Sequence, residues 1–182
     1  KALRKQAYKV EEYILDSLLD GAQVITCTLV GATGEHIRNR HFSSLFIDEA
    51  AQATEPSCWI AISRAERIIF AGDHKQLPPT VKSEKAEKLG FSRTLFEKCM
   101  QLPDASVMLR TQYRMHADIM GFSNAQFYDG KLEAFPTVIA ATLMDKKHQP
   151  LEGPIIEFVD TAGAGFSEKK NADSMSAFNP GE

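Results

Sequence analysis

The sequence predicts an α/β fold in which helices flank a parallel sheet. Short apolar runs alternate with segments of helical spacing, and this alternation indicates strands joined by crossover helices. The run Leu-Phe-Ile at positions 45–47 has no polar alternation, which is typical of a strand buried on both faces. The chain has 182 residues, of which 43% are hydrophobic. It is therefore long enough for a core and for one domain or a little more.

The elements are predicted in chain order from local patterns. Apolar residues recur at helical spacing at positions 3, 7, 10, 14 and 18, and Gly21 then provides a stop. Strands are predicted for five apolar segments: residues 24–30, 44–47, 67–71, 106–110 and 154–161. Helices are predicted for residues 55–64, 92–101 and 116–128. Residues 162–181, rich in Gly, Lys and Ser, are expected to form a loop.

Composition excludes several classes of protein. A net charge of -3 provides no overall basic field, so any nucleic-acid site must be a local patch. The three cysteines, Cys27, Cys58 and Cys99, are too few and too scattered for a disulfide framework or a zinc site. We recognise no signal-peptide pattern and no apolar run of membrane-spanning length in these 182 residues. We expect an intracellular protein, cytoplasmic or nuclear, that does not associate with membranes.

Two adjacent acids, Asp48 and Glu49, directly follow the apolar run at 44–47. In open α/β sheets, ligands bind beyond the carboxyl ends of the strands. One carboxylate can hold Mg²⁺, and its neighbour can orient or deprotonate an attacking water, as metal-assisted phosphoryl transfer requires. Taken alone, the pair is better explained by a strand that ends at a solvated acidic turn.

A second polar loop, residues 71–81, follows the strand predicted at 67–71. Gln76 is a neutral polar residue of the kind that reads a γ-phosphate or positions its attacking water. Pro78 and Pro79 stiffen the loop because each ring fixes φ. A rigid connector with a hydrogen-bonded glutamine is the alternative interpretation.

A third motif, Leu-Arg-Thr-Gln-Tyr-Arg-Met-His, occupies residues 109–116. Arg114 is a candidate arginine finger that would supply positive charge to a transferred phosphoryl group. Tyr113 has the flat ring needed to stack on a base such as adenine. A surface ion pair for Arg114 and ordinary packing for Tyr113 remain possible from the residues alone.

Together, the motifs at 46–59, 71–81 and 109–116 resemble those of superfamily 1 helicases of the 5′-to-3′ branch. The likeness is to the immunoglobulin mu-binding helicase, the nonsense-mediated-decay helicase and senataxin. Residues 24–32, 159–163 and 179–182 also resemble segments of that family. The resemblance implies a RecA-like P-loop NTPase fold, ATP and Mg²⁺ as ligands, and single-stranded DNA or RNA as partner.

The resemblance also implies a role for each matching residue. Asp48 would hold Mg²⁺, and Glu49 would activate water. Gln76 would sense the γ-phosphate, Arg114 would reach it from a second RecA-like domain, and Tyr113 would lie near the adenine. A further group would contact the nucleic acid: Thr28 and Lys82 on its backbone, and Pro79, Thr80 and Val81 on its bases.

The sequence departs from the family pattern in one large respect. The phosphate-binding loop, which ends in Gly-Lys-Thr/Ser in the family, does not occur in these 182 residues. We therefore expect the RecA-like fold to be incomplete. Residues 1–105 would be the C-terminal part of a first RecA-like domain, and residues 106–182 the N-terminal part of a second. Alone, the chain is expected to have no ATPase activity.

Two other functions remain open from the sequence. A non-catalytic nucleic-acid-binding module is compatible with the missing phosphate-binding loop. A nucleotide-dependent nuclease with Asp48 and Glu49 as metal ligands is the other, but it should carry a further acidic cluster. None is convincingly placed in the sequence. We therefore predict an ATP-dependent helicase or translocase as the activity of a larger protein.

Overall fold

A computed structural model describes residues 2–144, 147–174 and 176–181. The chain forms two compact units, Lys1–Val107 and Met108–Glu182. The assignment of residues 1–105 and 106–182 to two RecA-like domains stays a prediction. Glu182, the last residue of the motif at 179–182, lies outside the described residues.

The first unit contains four helices and two strands. In chain order these are α1 (Ala2–Gly21), β1 (Phe42–Ile47), α2 (Glu55–Ile62), β2 (Ala65–Phe70), α3 (Glu84–Lys88) and α4 (Leu95–Cys99). Short 3₁₀ turns at Gly31–Thr33 and Ala50–Gln52 precede and follow β1.

Strands β1 and β2 pair in parallel, with Phe42 opposite Ala65 and Ile47 opposite Phe70. Helix α2 is the crossover between them, as parallel pairing requires. The core of the unit is small and consists of Ile47, Ala50, Cys58 and Ile62. The core therefore lies directly beneath the carboxyl end of β1.

Local sequence explains where the short helices begin. Pro56 lies in the first turn of α2, where its missing N–H costs nothing. Helix α4 begins with a capping box, because Thr94 Oγ1 accepts from Glu97 N and Glu97 Oε2 accepts from Thr94 N. Ser83 caps α3 by accepting a hydrogen bond from Ala86 N.

In the described ranges, the second unit has fewer buried residues than the first. Its elements are β3 (Thr111–Gln112), α5 (Ala117–Phe127), β4 (Glu133–Ala134), β5 (Lys169–Lys170) and β6 (Ala177–Phe178). Strands β3 and β4 pair in parallel across α5, and β5 and β6 form an antiparallel pair. Asn124 fixes the return from α5, because its side chain exchanges hydrogen bonds with the N–H and carbonyl of Leu132.

The α/β class and the parallel pairing are confirmed, but three of the five predicted strands are wrong. Residues 24–30, 106–110 and 154–161 contain no strand. Their β-branched and aromatic residues suit a strand, but a strand exists only where a second backbone completes its ladder. The segment 162–181 is not entirely loop, because β5 and β6 lie within it. None of the helices in the described ranges is long and apolar enough to cross a membrane.

Candidate active site

The carboxyl ends of β1 and β2 form one edge of the first unit's sheet. The ladder continues past the strands, because Ala71 N donates to Ile47 O and Ala50 N donates to Ala71 O, both at 2.9 Å. Gly72 lies against this turn, and a Cβ there would come within 3.0 Å of Ala51 N. The acidic turn after β1 and the loop after β2 are therefore held together by main-chain contacts.

Asp48 and Glu49 are exposed on this edge. Asp48 Oδ1 accepts a hydrogen bond from Glu49 N at 3.0 Å. Glu49 has a left-handed backbone (φ 50°, ψ 38°), a conformation that non-glycine residues seldom adopt. Its Oε2 accepts from Gln52 Nε2 at 3.2 Å. The turn thus presents two neighbouring carboxylates, each with one oxygen engaged by the protein.

Gln76 is positioned by Asp73, which follows β2. Asp73 Oδ1 accepts from Lys75 N at 3.0 Å, and Asp73 Oδ2 accepts from Gln76 Nε2 at 2.9 Å. The Gln76 side chain is exposed. Because β1 and β2 are parallel, this loop and the acidic pair lie at the same edge of the sheet, as the sequence predicted from strand ends.

The acidic pair suits a metal bound with help from a substrate, not a closed metal site. Among the described residues, no group of three or more His, Cys, Asp or Glu side chains is arranged to hold a metal ion. Asp48 Oδ2 has no hydrogen-bond partner within the described ranges. A single free carboxylate oxygen fits Mg²⁺, which keeps its waters and is commonly completed by substrate phosphates.

The residues predicted to contact nucleic acid differ in their exposure. Thr80 and Lys82 are exposed, Val81 is half-buried and Pro79 is buried. The buried Pro79 ring is not open to a base in this conformation, contrary to the expectation that it faces the bases. It instead fixes the loop beneath its exposed neighbours.

Thr28, also predicted to contact nucleic acid, is exposed but makes a local contact. Its Oγ1 accepts from Gly31 N at 3.0 Å and its carbonyl accepts from Ala32 N at 3.1 Å. These two bonds close the turn that follows the predicted first strand. The Thr28 hydroxyl is therefore already engaged in holding its own turn.

The second unit carries Tyr113 and Arg114 on a turn organised by Gln112. Gln112 Oε1 accepts from Arg114 N at 2.8 Å and Met115 N at 3.0 Å, and its Nε2 donates to Met115 O at 2.8 Å. Tyr113 packs on Phe135, with ring centroids 4.6 Å apart. In the described part of the chain, the exposed Arg114 guanidinium has no hydrogen-bond or ion-pair partner.

Sequence reasoning missed the residues that position the site: Gln52, Asp73 and Gln112. Asp73 had a usable signal, because an Asp after a strand commonly accepts from the N–H two residues on. Gln52 and Gln112 had none, because a polar residue in a turn does not reveal which backbone groups it will meet.

Two family models match the chain, both described as an AAA domain, over residues 1–84 and 91–182. The chain belongs to the AAA-domain family of superfamily 1 helicases. This membership confirms the family resemblance that the motifs at 46–59, 71–81 and 109–116 indicated.

Relatives within this helicase family match almost the whole chain. The DNA-binding protein SMUBP-2 of Rattus norvegicus is 39% identical over 100% of the chain. An uncharacterized ATP-dependent helicase of Methanocaldococcus jannaschii is 38% identical over 94% of it. The DNA polymerase alpha-associated DNA helicase A of Schizosaccharomyces pombe is 34% identical over 98%. The chain spans 19%, 26% and 27% of these relatives, respectively.

Proposed function

We propose that the chain is part of an ATP-dependent helicase or translocase that moves along single-stranded DNA or RNA. One observation carries this proposal: the parallel pairing of β1 and β2 brings the acidic pair and Gln76 to the same edge of the sheet. The names of two relatives, an ATP-dependent helicase and a DNA helicase, support the same activity. In this proposal the two units belong to two RecA-like domains.

Asp48 and Glu49 have different roles in the proposed hydrolysis. Asp48 would hold Mg²⁺ through its free oxygen, and the ion would supply charge neutralisation at the phosphates of ATP. Glu49 accepts a proton from the water that attacks the γ-phosphoryl group. The hydrogen bond from Gln52 holds one Glu49 oxygen and leaves the other to face the water.

Gln76 reports whether the γ-phosphate is present. One hydrogen of its amide is engaged by Asp73, so the second can donate to a phosphate oxygen without loss of the first contact. Arg114 supplies a mobile positive charge to the same phosphoryl group, and Tyr113 offers its ring near the adenine. Loss of the γ-phosphate would change the contacts of Gln76. This change would alter how tightly the loop at residues 71–81 binds the nucleic acid.

We propose that Thr80, Val81 and Lys82 contact the nucleic acid. The backbone of the turn that Thr28 closes would contact it as well. Lys82 is an exposed cation without a partner among the described residues, so it is available to a phosphate. A site formed by these residues would bind the charged backbone and the faces of the bases, so its preference for particular sequences should be weak.

The proposal is tested with Glu49→Gln and Asp48→Asn in a full-length helicase that carries this chain. Glu49→Gln should keep nucleotide affinity and lower turnover by about 10²- to 10⁴-fold, because an amide cannot accept the proton. Asp48→Asn should instead weaken the binding of Mg²⁺-ATP. The measurements are nucleotide affinity with and without Mg²⁺ and steady-state hydrolysis.

Glu66→Gln is the matched control, because Glu66 is an exposed glutamate on β2 in the same unit. It should leave both measurements unchanged. Robust hydrolysis by Glu49→Gln would remove the acidic pair from the mechanism. Equal loss in all three variants would indicate damage to the unit and not to the chemistry.

A further inference from the structure

A cleft on the first unit, lined mainly by apolar side chains, is not used by the proposed mechanism. It has a volume of about 680 Å³ and lies between the first turns of α2 and the segment from α3 to Arg93. Trp59, Leu89 and Phe91 line it and are 51%, 79% and 44% exposed. Three large apolar side chains in one concave surface are the usual sign of a binding site.

The tryptophan in this cleft is held in place. Trp59 Nε1 donates to Glu55 Oε1 at 3.3 Å. The polar edge of the indole is therefore satisfied by the protein, and its faces are left for an apolar contact. A large ring fixed before binding loses little conformational entropy when a partner covers it.

The charges around the cleft favour an acidic group. Glu55 Oε2 is bound by Lys98, so the one carboxylate that lines the cleft among the described residues is already paired. Arg93 lies close enough to Glu55 to interact with it electrostatically, yet its guanidinium has no hydrogen-bond partner in the described ranges. Lys98 and Arg93 thus both interact with the single carboxylate of Glu55. The positive charge that remains unneutralised is that of Arg93, which is exposed.

The neighbouring helix argues against nucleic acid as the occupant. Helix α3 carries Glu84 and Glu87 as well as Lys85 and Lys88, and all four are exposed. Its charges cancel, so there is no basic track leading to the cleft. A phosphate backbone would need such a track, whereas a protein segment would need only one cation.

We propose that this cleft docks a short segment of a partner protein in which at least two apolar side chains flank an acidic residue. The apolar side chains cover Trp59, Leu89 and Phe91, and the acid pairs with Arg93. The site is independent of the proposed ATP hydrolysis, because none of its residues belongs to the acidic pair or the Gln76 loop.

The test uses the 182-residue chain, whose single tryptophan is Trp59. Random peptides displayed on phage are selected on the chain, and the enriched peptides are then synthesised and titrated while Trp59 emission is recorded. We expect enriched peptides to contain an acidic residue beside apolar ones, and to shift Trp59 emission to a saturating value. Two variants, Leu89→Glu and Arg93→Glu, should each weaken binding by roughly tenfold or more.

Leu143→Glu is the matched control, because Leu143 in the second unit is 78% exposed, the same as Leu89 within one per cent. It should bind the peptides as the unaltered chain does. Enrichment of basic or uncharged peptides would overturn the proposal, as would no enrichment at all. Peptide binding by the chain that is absent from a full-length helicase carrying it would also overturn the proposal, because the rest of that protein would then cover the cleft. A shift of Trp59 emission by oligothymidylate that is lost in Leu89→Glu would overturn it in favour of a nucleic-acid site.

Discussion

The two units hold their candidate catalytic residues in different ways. In the first, the turn at Asp48 and Glu49 is fixed by the main chain, through the ladder from Ile47 to Ala71 and the close approach of Gly72. In the second, a main-chain bond from Phe135 N to Gln112 O precedes the turn that carries Arg114, and the turn itself is held by three hydrogen bonds of the Gln112 side chain. The proposed metal ligand and the proposed base are thus held by the backbone, whereas the turn of the proposed arginine finger is held largely by a side chain that can be substituted.

This difference matches what each residue has to do. A carboxylate that binds Mg²⁺ or removes a proton must stay in a fixed geometry, because small displacements are costly in catalysis. An arginine finger acts only when a phosphoryl group is present, so its guanidinium can remain free until then. We therefore expect substitutions at the two turns to have different consequences.

The largest effect is expected for Arg114→Ala. In a full-length helicase carrying this chain, turnover should fall by about 10³-fold, because the charge that stabilises the transferred phosphoryl group is lost. Stability should be unchanged, since the exposed guanidinium has no hydrogen-bond or ion-pair partner in the described part of the chain. Steady-state hydrolysis and thermal unfolding measure the two effects.

Arg110→Ala is the control for that experiment, because Arg110 is an exposed arginine shortly before the same turn. It should leave turnover intact. Near-normal hydrolysis by Arg114→Ala would remove Arg114 from the mechanism. A loss of stability in Arg114→Ala would show that its side chain supports the turn, and the contrast between the units would fail.

A smaller effect, on stability, is expected for Gly72→Ala. The new Cβ would lie 3.0 Å from Ala51 N and 3.1 Å from Ala50 N, so the acidic turn must shift to admit it. We expect a loss of about 1–3 kcal/mol in the free energy of unfolding, the usual cost of overpacking. Urea denaturation of the chain measures it.

Gly121→Ala should have the opposite sign. Gly121 lies inside α5, and a Cβ there meets nothing within 4 Å. Alanine in a helix interior is favoured over glycine by about 0.5–1 kcal/mol. Equal stabilisation by both substitutions would mean that the acidic turn is not held by backbone contact with Gly72.

Gln112→Ala is expected to cost about 1 kcal/mol, because the exposed turn can replace part of the three lost hydrogen bonds with water. Gln112→Glu should not restore full stability, since its carboxylate can still accept from Arg114 N and Met115 N but its second oxygen would face the Met115 carbonyl. Unfolding in urea ranks the variants.

Gln52→Ala in the first unit tests whether its turn depends less on a side chain than the turn of the second unit does. Gln52 also bonds a candidate catalytic residue, Glu49, but its turn has main-chain support. It should therefore affect stability less than Gln112→Ala does. A larger loss for Gln52→Ala would reverse the contrast between the two units.

In the first unit, the sequence indicated where the polar strand ends lie but did not predict the sheet correctly throughout. Strand ends alone placed Asp48 and Gln76 at one edge, because parallel strands put their carboxyl ends together. The predicted strand at 24–30 failed although its residues are suited to one. Residue type reports compatibility with a pleated surface, but pairing depends on a second backbone that local sequence does not specify.

Two of the positioning residues, Gln52 and Gln112, could not be predicted from the sequence for a related reason. Gln112 forms hydrogen bonds with Arg114 N, Met115 N and Met115 O because the turn closes on itself. A glutamine at this position in the sequence does not predict that closure. The left-handed backbone at Glu49 is similar, because glycine or asparagine would have signalled it and glutamate does not.

The smallest effect concerns pH and the Glu55–Lys98 pair beside the cleft. The hydrogen bond from Lys98, followed by that from Trp59, lowers the pKa of Glu55 below its ordinary value of 4.5. Glu55 therefore contributes stability above pH 4.5, and that contribution is lost as the pH falls through its lowered pKa. Urea midpoints at neutral and acidic pH should differ more in the unaltered chain than in Glu55→Gln. Lys98→Met should reduce the pH dependence as well, because it removes the chief cause of the shift, and equal pH dependence in all three chains would contradict the pairing.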